Sequence, residues 1–132
     1  MDFSKAFDVV AHQKLLLKLA HYGIQGPTHT WITNFLMHRK QKVVLGGDAS
    51  DWVRVQSGVP QGTVLGPLLF LLYINDLPDQ ITSTVRLFAD DCVIYRTVSN
   101  DADADLLQRD LDRLCSWEQT WCMEFNTDKF LF

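Results

Sequence analysis

The feature that most constrains this chain is a pair of adjacent aspartates, Asp90 and Asp91, set between two short apolar runs at 85–88 and 92–95. In a straight strand successive side chains point to opposite faces, so neighbouring carboxylates reach one site only where the chain turns. The pattern predicts a tight β-hairpin with Phe88-Ala89-Asp90-Asp91 at its tip. Apolar strands do not need these acids, and two like charges side by side repel unless a cation sits between them. Hard oxygen ligands suit Mg²⁺, which keeps several waters and accepts one or two carboxylates plus substrate phosphates. The competing reading of these four residues is an Asp-Asp surface turn.

The rest of the chain reads as mixed helix and strand. Leu15, Leu16, Leu19 and Tyr22 recur at helical spacing, with Lys14, Lys18 and His21 between them on the polar side of an amphipathic helix and Gly23 as the stop. Pro27 suits the opening turn of a second helix, with Trp31, Ile32, Phe35 and Leu36 on one face and Arg39-Lys40 near its negative end. A hairpin is expected from 43–45 and 52–55, flanking a loop with Gly46, Gly47 and Asp48. Gly58, Pro60 and Gly62 mark a loop with special backbone needs, before an apolar helix from Pro67 to about Asn75. Asn100 caps a helix with Asp101, Asp103 and Asp105 in its first turn and Leu107, Leu111, Leu114 and Cys115 facing inward, and 123–125 forms a last short strand.

At 132 residues, 47% apolar and 21% charged, the chain suits one folded domain spanning 1–132. Sixteen acidic against 12 basic side chains leave a net charge of −4, the wrong sign for a surface that attracts nucleic acid all over. If the protein handles nucleic acid, most basic contacts lie outside this chain. Cys92, Cys115 and Cys122, odd in number and in apolar surroundings, read as reduced, buried thiols of an intracellular protein. The run 64–74 is too short to cross a bilayer, which takes about 20 residues, and nothing reads as a secretory signal.

A second acid stands in Asp2-Phe3-Ser4-Lys5-Ala6-Phe7-Asp8. This segment resembles motif A of reverse transcriptases. Gln56-Ser57-Gly58-Val59-Pro60-Gln61-Gly62-Thr63, followed by Leu65-Gly66-Pro67-Leu68-Leu69-Phe70, resembles motif B, and Phe88-Ala89-Asp90-Asp91 resembles motif C, in family order. The wording of motif B, with Tyr73-Ile74-Asn75-Asp76-Leu77-Pro78 after it, is similar to the enzymes of LINE-like retrotransposons, those without long terminal repeats.

The resemblance implies an α+β polymerase palm: a small antiparallel sheet with helices packed on one face, incomplete at the N-terminus, with fingers and thumb largely outside the chain. It implies an RNA-directed DNA polymerase, adding deoxynucleotides to a primer 3′ end by two-metal phosphoryl transfer. Asp2, Asp90 and Asp91 would hold two Mg²⁺ ions, with Mn²⁺ as an alternative. Phe7 matches the steric gate beneath the sugar, against the reading of an ordinary core phenylalanine. Gln61 and Gly62 would run beside nucleotide and template, against a plain turn started by Pro60. Lys129 resembles the motif D lysine that protonates pyrophosphate, against a solvated surface charge. Asp8 suits a capping or turn role, and Arg54, Arg86 and Arg96 have no assignable role. The implied partners are an RNA template, a DNA primer, deoxynucleoside triphosphates and the remaining fingers and thumb, with no membrane; the implied location is cytoplasm and nucleus. The rival class is a truncated retrotransposon remnant without activity, at most a binding or interaction fragment. The three intact aspartates favour the enzyme; the acidic charge and missing fingers argue against autonomous catalysis.

Overall fold

In the computed structural model, which describes residues 1–126, the two apolar runs pair as β5 (Thr84–Phe88) and β6 (Asp91–Tyr95), antiparallel in the register Phe88↔Asp91 to Thr84↔Tyr95. That register leaves Ala89 and Asp90 as a two-residue turn, with Ala89 at φ 51°. The left-handed conformation suits the twist of a tight hairpin and is uncommon for a residue with a Cβ. Burial alternates along both strands: Cys92 is buried, whereas Asp91, Val93 and Tyr95 are exposed.

The sheet continues through the start of the chain. Asp2 bridges Asp91, and Phe3 bridges Phe125. Phe3 N–H donates to the Asp90 carbonyl at 3.1 Å and Cys92 N–H to the Met1 carbonyl at 2.9 Å. On the other edge, Ser4 N–H donates to Glu124 O at 2.6 Å and Asn126 N–H to Asp2 O at 2.8 Å. Residues 1–4 therefore lie between the hairpin and the 124–126 segment, pairing with both. The short strand expected at 123–125 is reduced to a bridge at Phe125.

Helices cover one face of this sheet. α2 (His12–His21) is the helix expected from the spacing of Leu15, Leu16 and Leu19, and the short α1 (Ala6–Val9) is added before it; α3 (Gly26–Met37) packs on α2, and α4 (Leu65–Ile74) contacts α1 and α2. A 3₁₀ turn at Leu77–Gln80 leads into β5, and α5 (Asp101–Trp121) packs against that turn. Asn100 caps α5 as expected, its side-chain oxygen accepting from Asp103 N–H at 3.0 Å. Phe3, Leu15, Leu19, Leu36, Phe70 and Leu114 share the core. Phe3 stacks on Phe125 with centroids 4.6 Å apart and meets Phe70 edge-on at 6.2 Å.

Several expectations change. α3 ends at Met37 with His38 as its C-cap, so Arg39 follows its negative end directly, as expected, while Lys40 already belongs to a strand. The expected 43–45/52–55 hairpin divides into two ladders: β2 (Val44–Leu45) pairs with β3 (Asp48–Ala49) around the Gly46-Gly47 turn, and β1 (Lys40–Gln41) pairs with β4 (Val53–Arg54). Of the cysteines, Cys92 is buried and burial pushes its thiol up to about 11, whereas Cys115 and Cys122 are exposed. On α5, Leu114 is buried but Cys115 faces out. Trp31 is exposed and stacks on Phe35.

Lys18, expected on the polar side of its helix, is 4% exposed. Its ammonium lies 3.7 Å from the Trp121 ring centroid, and donates to Tyr73 O at 2.6 Å and Asp76 Oδ1 at 2.5 Å. Trp117 Nε1–H donates to the same Asp76 oxygen at 3.1 Å, so this charge ties α2 to the end of α4 and to α5. No helix among the described residues is long and apolar enough to cross a membrane.

Candidate active site

The two hydrogen bonds from Phe3 N–H and Cys92 N–H flank the Asp2–Asp91 pair rather than joining it. Asp2 and Asp91 are thus a non-hydrogen-bonded antiparallel pair, the kind whose Cα atoms stand about 4.5 Å apart with side chains close together. Their neighbours Phe3 and Cys92 occupy the buried face, at 4% and 0% exposure, so alternation puts both carboxylates on the opposite face. Asp90 is half-buried in the turn beside them. The Asp2–Asp91 pair offers hard oxygen donors on one face, which fits a divalent cation such as Mg²⁺. Among the described residues no group of three or more His, Cys, Asp or Glu side chains is placed to hold a metal, so Asp90 stands next to the pair without completing a cluster.

The loop 56–63 is fastened to the end of the motif A segment. Val59 N–H donates to Phe7 O at 2.7 Å, Gly58 N–H to Val10 O at 2.8 Å, and His12 Nε2 to Gly58 O at 2.8 Å. Only glycine fits at 58: φ is +86°, and a Cβ would lie 2.8 Å from the carbonyl oxygens of Phe7 and Asp8. At Gly66 a Cβ would come within 2.2 Å of Pro60 O, so the first turn of α4 packs directly on the loop.

Phe7 is half-buried with its ring 4.7 Å from that of Phe70. Gln61 is exposed, and its Nε2 donates to Asp8 Oδ1 at 2.9 Å. Asp8 lies inside α1 rather than at its cap; besides holding Gln61, its carbonyl accepts from Ser57 Oγ at 2.8 Å. Gly62 has φ +74° with nothing within 4 Å of where a Cβ would stand. Lys129 lies outside the described residues.

Two groups without a role in the sequence reading acquire a place. Arg96 donates to Ser83 Oγ at 3.1 Å and Thr82 Oγ1 at 2.8 Å, bracing the far end of the hairpin. Arg54 lines a cleft of about 690 Å³ together with Lys5 and Arg39. The signal was present in sequence: Arg39, Lys40, Lys42 and Arg54 put four of the 12 basic residues within one short stretch.

Comparison with known proteins matches residues 1–132 to the family described as reverse transcriptase (RNA-dependent DNA polymerase). The chain is 35% identical over 135 residues to a probable RNA-directed DNA polymerase from transposon X-element of Drosophila melanogaster. It is 32% identical over 138 residues to the RNA-directed DNA polymerase from mobile element jockey of Drosophila funebris. Each alignment covers 98% of this chain and 15% of the relative. A retrovirus-related Pol polyprotein from the type-1 retrotransposable element R2 of Popillia japonica is 26% identical over 142 residues, covering 98% of this chain and 23% of its own length.

Proposed function

Because this chain belongs to the reverse transcriptase family, and is similar to polymerases of retrotransposons without long terminal repeats, we propose that it is the catalytic palm segment of a longer RNA-directed DNA polymerase. The reaction is template-directed addition of deoxynucleotides to a primer 3′ end, with RNA template, DNA primer and deoxynucleoside triphosphates as partners, and with fingers and thumb supplied by the rest of that polymerase.

The observation that carries this reading is the Asp2–Asp91 pair, held face to face by backbone bonds on both sides. Asp2, Asp90 and Asp91 would hold the divalent ions, Mg²⁺ or Mn²⁺. When bound, such ions make the 3′-hydroxyl a better nucleophile and neutralise charge on the leaving pyrophosphate. The chain's own contribution is positioning. The 1–4 segment positions Asp2, the hairpin positions Asp90 in its turn and Asp91 at the start of β6, and such preset geometry supplies much of the acceleration in phosphoryl transfer. Phe7 closes the sugar side against a 2′-hydroxyl; its contact with Phe70 keeps the ring from swinging away. Gln61, oriented by Asp8, and Gly62, open to solvent, border the nucleotide and template. Lys129 gives its proton to the departing pyrophosphate.

Asp90→Asn in the full-length polymerase tests the assignment. Primer extension on an RNA template should fall by several orders of magnitude with folding retained, since a carboxylate that binds metal has no neutral substitute. Near-normal extension would refute it.

A further inference from the structure

Three helices end at one cavity. α2 finishes at His21, α4 at Ile74 and α5 at Trp121, and residues in or just after each last turn line a space of about 490 Å³: Lys18 and Tyr22, Asp76 and Asp79, and Trp121. A helix carries about half a negative charge at its C-terminal end, so the three ends together favour a cation. The motif B loop packs on the first turn of α4, and the 10 residues of that helix put about 15 Å between the loop and the cavity.

One cation is already there. Lys18 gives its ammonium to Tyr73 O and Asp76 Oδ1 and sets it over the Trp121 ring. Among the described residues the hydrogen bonds that reach the Asp76 carboxylate, from Lys18 and from Trp117 Nε1, both end on Oδ1, which leaves Oδ2 for the cavity. Asp79 stands three residues on in a 3₁₀ turn, its N–H donating to Asp76 O at 3.1 Å, and side chains at that spacing eclipse. It is exposed, and it belongs to neither ion pair formed among the described residues, Lys18–Asp76 and Arg113–Asp110. Two carboxylates thus face one ammonium. Burial raises the Tyr22 phenol above its ordinary value, against a hydrogen bond to Asn75, and the charges of Asp76 and Asp79 raise it further.

We propose that this cavity docks an arginine side chain presented by a partner protein, the guanidinium reaching Asp79 and Asp76 Oδ2 beside the Tyr22 and Trp121 rings. A planar guanidinium forks onto carboxylates and lies on aromatic faces, which a compact ammonium does less well. Among the described residues no group of three or more His, Cys, Asp or Glu side chains is placed to hold a metal, so the two carboxylates suit an organic cation. The same charges repel the phosphates of a nucleic acid or a lipid. Leu17, 67% exposed on the cavity rim, offers its surface to an apolar residue next to the arginine. No residue of the proposed nucleotide and template site lines the cavity, so this docking is independent of the polymerase reading.

The test titrates a fluorescein-labelled peptide, an arginine between two leucines with glycine and serine flanks, with the full-length polymerase and follows fluorescence anisotropy. Binding should be saturable. Replacing the arginine with citrulline, which keeps the shape and removes the charge, should weaken it about tenfold, as the loss of one charge-assisted hydrogen bond does. A peptide with lysine in that place should fall between the two. Asp79→Asn should weaken the arginine peptide about tenfold while primer extension stays within about twofold, and Leu17→Ser should weaken it about threefold. Both substitutions fall at exposed positions, where folding tolerates them. Absence of saturable binding to the unsubstituted polymerase overturns the proposal, including the case in which the polymerase's own chain covers the cavity. So does a citrulline peptide that binds as well as the arginine one, or an Asp79→Asn variant that binds normally, since either places the contact elsewhere. Loss of binding and extension together in Asp79→Asn would overturn it in favour of a structural role for the turn.

Discussion

Asp110 is fully buried, and every group facing its carboxylate is a donor: Thr82 N–H at 3.1 Å to Oδ1, Thr82 Oγ1 at 2.8 Å, Ser83 N–H and Oγ at 2.7 Å, and Arg113 Nη1 at 3.0 Å. Burial alone would raise its pKa, but the bonds from Ser83 and Thr82 outweigh it and hold the carboxyl well below the usual carboxylate range. Asp110→Asn exchanges one acceptor oxygen for an NH₂ group. With the amide oxygen at the Oδ2 position both backbone N–H groups keep an acceptor, since Thr82 N–H also reaches Oδ2 at 3.2 Å, but the NH₂ then faces Thr82 N–H and Arg113 Nη1, neither of which can accept from it. One stranded buried N–H costs about 1–3 kcal/mol, and converting several charge-assisted bonds to neutral ones removes roughly 1 kcal/mol each, giving a total near ~3–5 kcal/mol. Urea unfolding of the 132-residue chain, followed by circular dichroism, would read this as a midpoint lower by roughly 2 M at an m-value of about 1–3 kcal/mol/M. The pH dependence has a fixed sign. A depressed folded pKa stabilises fully above the unfolded value near ~3.9 and loses that contribution as pH falls through the folded pKa, so the asparagine variant should respond less to acid. A midpoint shift below about 0.5 M at neutral pH would refute the claim that this carboxylate anchors the base of the hairpin to α5.

Phe7→Val in the full-length polymerase should admit ribonucleotides with modest loss of deoxynucleotide incorporation; an unchanged ratio of the two efficiencies would return Phe7 to the core. Gly58→Ala should cost roughly 2–4 kcal/mol, from left-handed strain and a backbone clash, and should reduce extension with it; a thermal shift of less than a degree would contradict the fit described for this junction. Lys18→Met should destabilise by about 1–3 kcal/mol by leaving Asp76 and the Tyr73 carbonyl short of a donor, as a urea midpoint would show. Burial lowers the Lys18 pKa despite the hydrogen bond and charge of Asp76. Between that lowered value and 10.5 the unfolded chain holds the extra proton, so stability rises with pH, and the methionine variant should lose that rise.

Local signals carried the parts of the fold that depend on neighbours in sequence. The aspartate pair marked the hairpin tip, Asn100 marked the start of α5, and the apolar run marked α4 within two residues. The strand at 40–41 escaped because Lys40 and Gln41 are exposed and polar, paired with Val53 and Arg54 at an edge without a core to impose alternation. The Gly46-Gly47 pair closed a tighter turn than the hydrophobic pattern around it suggested. Lys18 was misplaced for the opposite reason. Hydropathy sends a lysine outward, and the rings that receive it, Tyr73, Trp117 and Trp121, arrive from α4 and α5. Of the candidate site, the residue types were legible, but the register of Asp2 against Asp91 is a tertiary fact, and the Lys5–Arg39–Arg54 cleft needs two elements brought together.

The segment carrying Asp2 takes hydrogen bonds from partners on both flanks, one near residue 91 and the other near residue 125. On a ribosome adding about 5–20 residues per second, roughly 6–25 s separate the synthesis of Asp2 from that of Asn126. Through that interval one or both edges of the 1–4 segment stay open, and pairings between residues so distant in sequence are slow to close even once the chain is complete. Elongation rate therefore sets how long the nascent edge is offered to other strands.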